Sequence, residues 1–459
     1  MRVQNLFYTN DPEASTLHRR ITPTTEQRLE QQTRWNDLCD FLIGDLSEKT
    51  GLSTRSWLQG SYKFGTQTRP ARKSAEFDID LGIYFEWSGS PYEGDLSPGE
   101  VKELVQQSLR EYQDEAGDDV IEVVEPSKER CARIRFTGSF HIDVPAYHLN
   151  PDQDARSLAT ENNGWEESDP KAFYVWFLEQ FEDEDHAQVR RLIRYVKMWA
   201  ALKLGAPPSS VMLTVLVAQA YVDLSVEDAE TDDLALQGIA RAILERLNAN
   251  PRVLNPINGS ENLNRLSPED MASFLIGLEA LIASSNFALD AETETEAALI
   301  WGTVFEQFFP MPDPPASEER ALVPVGFEPQ VNVVATPPTG TVRFRGTNRI
   351  GPIPKKCSIE FTLTNAHELP QGARVEWVVR NEGHEAELTN DLGHLAGTGV
   401  LASENSAYRG THYMDVVVTS MFGRVLGFKR IPVQIMDIEM PPRNPLRRPG
   451  YTRYRRNGR

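Results

Sequence analysis

The sequence predicts an α+β protein built from several domains, and three observations lead to this fold class. A strand that alternates strictly between apolar and polar residues runs from Phe77 to Tyr84. From about residue 171, apolar residues recur at spacings of three and four, which predicts a helical region. After a proline-rich segment, short runs rich in Val and Ile are separated by Gly, Asn and Pro turns, which predicts an immunoglobulin-like β-sandwich.

These changes of pattern define the predicted domain boundaries. Six prolines between residues 310 and 329 exclude a helix there and indicate a linker. We therefore predict a first domain at 1–170, a helical domain at 171–309, the linker at 310–329, a β-sandwich at 330–438 and a basic tail at 439–459.

Capping signals place two helices in the first domain. Thr24 with Gln27 forms a capping-box pattern, which predicts a helix that ends near Gly51. Ser97 followed by Pro98 predicts a second helix that extends to about residue 116.

Strands and further helices follow in order. Residues 119–136 are expected to form two strands, and a third alternating run contains Asp143. In the helical domain, the apolar spacing predicts helices at 186–204, 233–248, 267–284 and 291–309.

Composition limits the function classes. The 459 residues carry a net charge of −20, which argues against a protein that coats long nucleic acid with its whole surface. Three widely spaced cysteines form neither a disulfide framework nor a zinc site. The N-terminus lacks an apolar signal core, and no run of about eighteen apolar residues predicts a membrane span. We therefore expect a cytoplasmic protein.

Three carboxylates are the candidate metal ligands. Asp78 and Asp80 lie two residues apart and therefore on one face of their strand, and Asp143 lies on the polar face of another. Like charges held together favour a cation between them, and hard oxygen ligands suit Mg²⁺. Carboxylates on adjacent strands can hold two ions that assist a phosphoryl transfer.

A glycine-serine turn precedes the Asp78 strand. Gly60 allows backbone N–H groups to approach a phosphate, and the Ser61 hydroxyl adds a donor. The loop from Lys63 to Lys73 carries basic residues and no acid. Two interpretations remain open for this loop, the mouth of a triphosphate site and an ordinary solvated loop.

The ordered set GSYKFGT, EFDIDLGIYF and FHIDVPAY resembles the bacterial cGAS/DncV-like nucleotidyltransferases (CD-NTases). The resemblance covers about residues 24–310 and implies a polymerase-β-like nucleotidyltransferase core completed by a helical domain. It implies two Mg²⁺ (or Mn²⁺) ions on Asp78 and Asp80, with Asp143 completing the second site and assisting deprotonation of the attacking hydroxyl. The β-sandwich is similar to the sensor domain of some members.

The same resemblance assigns two further contacts to the nucleotide triphosphate. The segment RYVKMW is similar to a family element whose lysine, here Lys197, reaches the triphosphate. Ser210, where a helix is predicted to begin, matches a family serine on the triphosphate; a capping serine there would offer a hydroxyl and free N–H groups. The alternatives are a surface lysine and an ordinary N-cap.

The tail departs from the acidic character of the chain. Residues 440–459 contain seven arginines, four prolines and no acid, with Tyr451 and Tyr454 among the arginines. One interpretation is a basic tail that binds phosphates. The other is an extended segment that enters the active site and offers a tyrosine hydroxyl as nucleophile, slightly favouring Tyr454. This second feature resembles the nucleotidyltransferases of the Hailong anti-phage systems.

These observations and resemblances lead to one favoured function and two alternatives. The favoured function is template-independent synthesis, in bacterial anti-phage defence, of short single-stranded DNA primed by a C-terminal tyrosine. The first alternative is a cyclic di- or trinucleotide synthase of a CBASS-type system, and the second is a nucleotide-binding sensor. The expected partners are NTP or dNTP substrates, an oligonucleotide product, and a separate effector protein such as a membrane channel.

Overall fold

The computed structural model describes residues 3–311, 326–338, 340, 343–421 and 424–436. The chain divides into two compact units, Met1–Leu322 and Val323–Arg459. Each unit has its own core, and each is described separately.

The first unit begins with helices and a mixed sheet. The helices of this part are α1 (Gln4–Phe7), α2 (Leu17–Ile21), α3 (Thr25–Thr50), α4 (Gly60–Phe64) and α5 (Pro98–Ala116). The strands are β1 (Thr54–Gln59), β2 (Phe77–Glu86), β3 (Val120–Val123), β4 (Ala132–Phe136), β5 (Phe140–Val144), β6 (Ala146–Asn150), β7 (Ala155–Ala159) and β8 (Trp165–Glu167).

The predicted caps of this part are confirmed. Thr24 and Gln27 form a reciprocal capping box, and α3 ends at Gly51 in the left-handed conformation. Ser97 and Glu100 form a second capping box at the start of α5.

The sheet has the order β3-β4-β5-β2-β6-β7-β8, and β1 pairs with β2. The central strand β2 runs parallel to both β5 and β6. Alternate residues of β2 point to opposite faces. Ile79, Leu81 and Ile83 are fully buried in a core shared with α3 and α5, which leaves the polar side chains of β2 on the other face.

The helical part of the first unit follows the sheet. Its helices are α6 (Pro170–Glu179), α7 (His186–Lys203), α8 (Ser210–Val222), α9 (Asp232–Ala249), α10 (Pro268–Leu289) and α11 (Glu294–Phe305). Within the described ranges, α10 is the helix whose length and apolar composition would allow it to cross a bilayer, a property that core helices of soluble proteins share.

The second unit is a β-sandwich. Its strands are β9 (Val331–Thr336), β10 (Phe344–Thr347), β11 (Ile350–Pro354), β12 (Ser358–Leu363), β13 (Arg374–Arg380), β14 (Gly393–Thr398), β15 (Leu401–Asn405), β16 (Gly410–Thr419) and β17 (Val425–Met436), with α12 (His384–Leu388) between β13 and β14. The two sheets have the orders β10-β9-β12-β15 and β11-β17-β16-β13-β14 and enclose one apolar core around Trp377 and Phe361. The fold class predicted from the sequence is therefore confirmed.

One charged cluster is buried in this sandwich. Asp415 on β16 is 1% exposed and accepts hydrogen bonds from Arg380 Nε at 2.6 Å and Arg430 Nε at 2.9 Å. Burial acts to raise the pKa of Asp415, but the two guanidinium groups outweigh it and hold the pKa below its usual range.

Candidate active site

The register of β2 and β5 brings the predicted carboxylates together. These strands pair in parallel, with Asp78 opposite His141 and Asp80 opposite Asp143. The side chain of Asp78 is 52% exposed, whereas that of Asp143 is 14% exposed. Three acidic groups therefore converge on one face of the sheet, as the alternation predicted.

Asp80 lies at the centre of this cluster. It keeps part of its surface open, but burial and the nearby charges of Asp78 and Asp143 raise its pKa to about 8, against the opposing charges of Lys197 and Arg133. Burial and the acidic neighbours thus disfavour the charged form of Asp80, and a cation bound beside it would favour that form.

Basic side chains from the neighbouring strand reach Asp143. Arg133, opposite Asp143 on β4, donates from Nε to Oδ1 at 2.5 Å and from Nη2 to Oδ2 at 2.8 Å, while Lys128 Nζ lies 3.5 Å from Oδ2. Burial acts to raise the pKa of Asp143, but the bonds from Arg133 lower it. Asp143 is therefore ionised and a weak base. The sequence analysis did not identify Arg133, because its role depends on cross-strand register.

His141 and Glu76 extend the cluster. His141 Nδ1 lies 3.0 Å from Glu76 Oε2, and His141 Nε2 lies 2.9 Å from Asp78 Oδ1. The second approach is close, but its angles are not those of a hydrogen bond, so Nε2 has no hydrogen-bond partner. Strand alternation places His141 on the same face as Asp143, but it does not indicate the contacts with Glu76 and Asp78.

The glycine-serine turn packs directly on Asp80. Gly60 has φ +56°, and a Cβ at this position would overlap Asp80 Oδ2, so only glycine fits. Gln59, the preceding residue, donates to Tyr84 OH at 2.8 Å and accepts from Tyr147 OH at 3.1 Å. This buried network fixes the backbone that leads into the turn.

Lys197 projects from α7 towards the acidic cluster. Its side chain is buried, and its Nζ donates to the Thr66 carbonyl oxygen at 3.4 Å. Burial and the nearby charge of Arg194 lower the pKa of Lys197 to about 8, although Asp78 and Asp80 favour its charged form. The position is therefore not that of a surface lysine.

Ser210 is the first residue of α8, but it is not the N-cap. The cap is Ser209, whose side chain accepts a hydrogen bond from Met212 N at 3.4 Å. The predicted capping role of Ser210 is thus wrong by one residue. Because the capping bond is made by Ser209, the exposed Ser210 hydroxyl is not used to cap the helix.

One cavity of about 430 Å³ joins these groups, a volume in the range of small-ligand sites. Six of the seven site residues predicted in the first unit line this cavity: Gly60, Ser61, Asp80, Asp143, Lys197 and Ser210. The seventh, Asp78, lies two residues before Asp80 on β2.

The loop between α9 and α10 supplies another wall that the sequence analysis missed. Asn255, Asn258 and Glu261 line the cavity. Asn255 Nδ2 and Arg265 Nη2 donate to the two carboxylate oxygens of Glu261 at 2.7 and 3.0 Å. Asn262 Oδ1 accepts backbone N–H groups on both sides of itself, so the loop is shaped largely by its own polar side chains. The concentration of asparagines was the available signal.

The basic residues between Lys63 and Arg72 make contacts that support the fold. Arg69 is buried and donates to the Thr22 carbonyl oxygen at 2.9 Å. Arg72 pairs with Glu306 at 3.1 Å, and Lys63 lies over the Trp57 ring at 4.3 Å. None of these three residues lines the cavity.

The tail tyrosines, Tyr451 and Tyr454, lie outside the described residues. Their role as priming groups therefore stays a prediction.

The residues present fit a divalent cation. Among the described residues, the ligand atoms of Asp78, His141 and Asp143 all lie within 4.8 Å of one another, and the Asp80 carboxylate lies beside Asp78 and Asp143. Oxygen-rich sets of this kind suit Mg²⁺ or Mn²⁺.

Comparison with known proteins agrees with this geometry. Residues 54–147 match the model of the "Cyclic GMP-AMP synthase DncV-like, nucleotidyltransferase domain". Residues 324–436 match the "Adenylyl/Guanylyl and SMODS C-terminal sensor domain".

Curated relatives extend the likeness along the chain. A cyclic GMP-AMP synthase of Escherichia albertii is 29% identical over 447 residues, covering 94% of this chain and 96% of the relative. A c-di-GMP synthase of Roseivirga ehrenbergii is 27% identical over 267 residues, covering 50% of this chain and 68% of the relative.

Solved structures show the same fold. Escherichia coli DncV bound to 3′-deoxy GTP aligns with a TM-score of 0.56 and 20% identity, over 66% of this chain and 96% of that one. Vibrio cholerae DncV with the linear intermediate 5′ pppA(3′,5′)pG aligns with a TM-score of 0.56 and 21% identity, over 67% and 96%. The comparisons do not single out a Hailong enzyme. The chain therefore contains a nucleotidyltransferase domain of the DncV-like type at residues 54–147 and a C-terminal domain of the sensor type at residues 324–436, the two domains expected of a cGAS/DncV-like (CD-NTase) enzyme.

Proposed function

We propose that the protein is a template-independent, Mg²⁺-dependent synthase that joins two nucleoside triphosphates into a cyclic dinucleotide. The observation that carries this proposal is the cavity in which Asp80, Asp143, Lys197 and Ser210 meet. The cyclic GMP-AMP synthase that matches over nearly its whole length supports the same product class.

The metal centre of the proposal uses the three carboxylates. Asp78, Asp80 and Asp143 would hold two divalent ions, which neutralise charge on the reacting phosphate. Because Arg133 keeps the pKa of Asp143 low, we assign Asp143 the role of ligand and not of general base.

The triphosphate is assigned to the groups that line the cavity beside the carboxylates. The Gly60–Ser61 turn offers N–H groups and a hydroxyl, Lys197 offers a buried cation, and Ser210 offers a hydroxyl at the start of α8. Helix N-termini favour anions, so this assignment agrees with the direction of α8.

The reaction is two successive transfers. The 3′-hydroxyl of one nucleotide attacks the α-phosphorus of the other, a P–O bond forms, the bond to the β-phosphate breaks, pyrophosphate leaves and the hydroxyl proton passes to solvent. A second transfer in the reverse direction closes the ring. The residues named above orient the groups, which is the main contribution of a protein to phosphoryl transfer.

A second candidate is the tyrosine-primed DNA oligomer. The observation that favours it is the arginine-rich tail with Tyr451 and Tyr454. In this reaction a tyrosine hydroxyl replaces the 3′-hydroxyl in the first transfer, and the product stays attached to the chain.

The wider setting of the proposal is bacterial anti-phage defence. The nucleotide product would act on a separate effector, such as a membrane channel, and this part rests on the family resemblance alone. A protein that only senses nucleotides is disfavoured, since it would not need Asp78, Asp80 and Asp143 together.

The experiment separates these products directly. The full chain is incubated with Mg²⁺ and each α-³²P-labelled NTP and dNTP, singly and in pairs, alongside Asp80→Asn and Tyr451→Phe/Tyr454→Phe. We expect a phosphatase-resistant free product from NTPs that Asp80→Asn abolishes and the tyrosine variant retains. Label that stays on the protein from a dNTP, and is lost in the tyrosine variant, would replace this proposal with the primed oligomer. Nucleotide binding without any product would favour the sensor.

A further inference from the structure

One nitrogen atom in the acidic cluster has no assigned role. Nε2 of His141 is buried without a hydrogen-bond partner, and the His141 side chain is 9% exposed. A buried polar atom left unpaired is destabilising, so a missing partner is expected. The atom faces Asp78 Oδ1 at 2.9 Å.

The other ring nitrogen is held by a carboxylate. Nδ1 lies 3.0 Å from Glu76 Oε2. Glu76 also accepts hydrogen bonds from Nε and Nη2 of Arg135, so it acts as an acceptor towards Nδ1. With the hydrogen on Nδ1, Nε2 is the ring atom available to a metal ion.

A carboxylate–histidine pair of this form is typical of metal sites. Histidines that bind metals usually donate their second N–H to a carboxylate, which orients the ring and strengthens it as a ligand. Glu76 is in turn held by Arg135, with Nε to Oε1 at 2.9 Å. The ring orientation is thus set before any ion arrives.

Two oxygen ligands complete the set. The ligand atoms of Asp78, His141 and Asp143 lie within 4.8 Å of one another. Arg133 donates one bond to each oxygen of Asp143, and a carboxylate has about four lone-pair positions, so acceptor capacity remains.

We propose that His141 Nε2, together with Asp78 and Asp143, binds a divalent metal ion, and that this nitrogen ligand favours Mn²⁺ over Mg²⁺. Imidazole is a good ligand for transition metals, whereas Mg²⁺ prefers oxygen ligands. The site shares two carboxylates with the metal centre of the proposed function but adds a ligand type that the three aspartates do not supply.

The test detects the metal–nitrogen bond without requiring turnover. Mn²⁺ is added to the full chain without nucleotide, and electron spin-echo envelope modulation is recorded on unlabelled protein and on protein labelled with ¹⁵N-histidine. We expect the signal of a directly coordinated ¹⁴N nucleus, replaced by the ¹⁵N signal on labelling. This comparison needs no variant and so does not depend on the folding of one. Absence of a coordinated nitrogen would overturn the proposal and indicate an imidazolium ion-paired with Asp78.

Variants assign the nitrogen to His141. His141→Asn should abolish the modulation. His148→Gln should retain it, because His148 is another buried histidine of the sheet whose Nε2 contacts the Trp87 carbonyl oxygen at 3.0 Å. Persistence of the signal in His141→Asn would overturn the assignment.

Affinity measurements complete the test. Glu76→Gln should keep the nitrogen signal and weaken Mn²⁺ binding roughly 10- to 100-fold, as for other second-layer partners. His141→Asn should weaken Mn²⁺ binding at least as much while changing Mg²⁺ binding little. Equal losses for both ions would contradict the proposed preference. Nucleotide product formed by wild type without a nitrogen signal would reject this inference and leave the proposed function intact.

Discussion

The two units contain carboxylates in opposite electrostatic settings. In the first unit, the half-buried Asp80 lies beside two other acids, and burial together with their charges raises its pKa to about 8. In the second, Asp415 lies between Arg380 and Arg430, and its pKa is held below the usual range although the side chain is 1% exposed. Both carboxylates are on central strands of a sheet.

The difference indicates that Asp80 belongs to a ligand-binding site, whereas Asp415 stabilises the fold. Asp415 already has its partners, so its charge is balanced inside the sandwich. The charge on Asp80 and its neighbours needs a cation that the polypeptide does not supply in full. Perturbed pKa values occur both in functional sites and in structural ion pairs, and the neighbouring charges distinguish Asp80 from Asp415.

The largest expected effect is on activity at the uncompensated cluster. Asp80→Asn should reduce nucleotide transfer at least about 10³-fold, because losing several kcal/mol of metal-assisted charge stabilisation corresponds to that factor. The melting temperature without metal should hold or rise, since Asn removes a carboxyl whose charged form is disfavoured by burial and by Asp78 and Asp143. Product formation and thermal melting measure the two effects. A clear loss of stability in Asp80→Asn would show that Asp80, like Asp415, stabilises the fold.

The corresponding substitution in the second unit, Asp415→Asn, should lower the free energy of unfolding. Asp415→Asn leaves two arginines buried without a carboxylate and should cost about 3–5 kcal/mol of unfolding free energy. Because the folded pKa of Asp415 is lowered, its stabilisation is fully present above its ordinary pKa near 4 and is lost as pH falls through the folded value. Denaturant unfolding at pH 7 and at progressively lower pH tests this. A penalty that does not shrink with acid would contradict it.

Lys197 provides a smaller effect that sharpens the comparison. Lys197→Met should raise the KM for nucleotide roughly 10- to 100-fold, since a charge-assisted hydrogen bond contributes about 1.5–3 kcal/mol. Lys203→Met, on the same helix but paired with Glu306, serves as the control and should leave KM unchanged. Equal effects of both variants would show that Lys197 acts only through the fold.

The smallest effect concerns the adjacent serines of α8. Ser209→Ala should lower stability by about 1 kcal/mol through loss of the N-cap and leave KM close to that of wild type. Ser210→Ala should show the reverse pattern, a raised KM with unchanged melting. If Ser209→Ala alone raised KM, the triphosphate contact would belong to Ser209.

Much of the site could be predicted because it depends on local rules. Alternation placed Asp78 and Asp80 on one face, and capping patterns at Thr24 and Ser97 located two helices correctly. The N-cap of α8 shows the limit of such rules, because Ser210 was predicted and Ser209 makes the capping bond. Either serine satisfies the sequence pattern, and the backbone geometry selects one.

The parts that were missed depend on register or on distant segments. Arg133 meets Asp143 only because β4 pairs with β5 at that position. Glu76 and His141 are separated by 65 residues, and the wall containing Glu261 comes from a loop far along the chain. Single-sequence patterns do not report which strands become neighbours.

The loop between α9 and α10 has a consequence for how such enzymes diversify. Its shape is maintained by Asn255 and Asn262 bonding within the loop, yet Asn258 and Glu261 face the cavity. A segment that folds on its own contacts can be exchanged between paralogues without rebuilding the sheet that holds the aspartates. We therefore expect grafting of this loop to be an economical route, in evolution or in the laboratory, to enzymes with altered nucleotide choice.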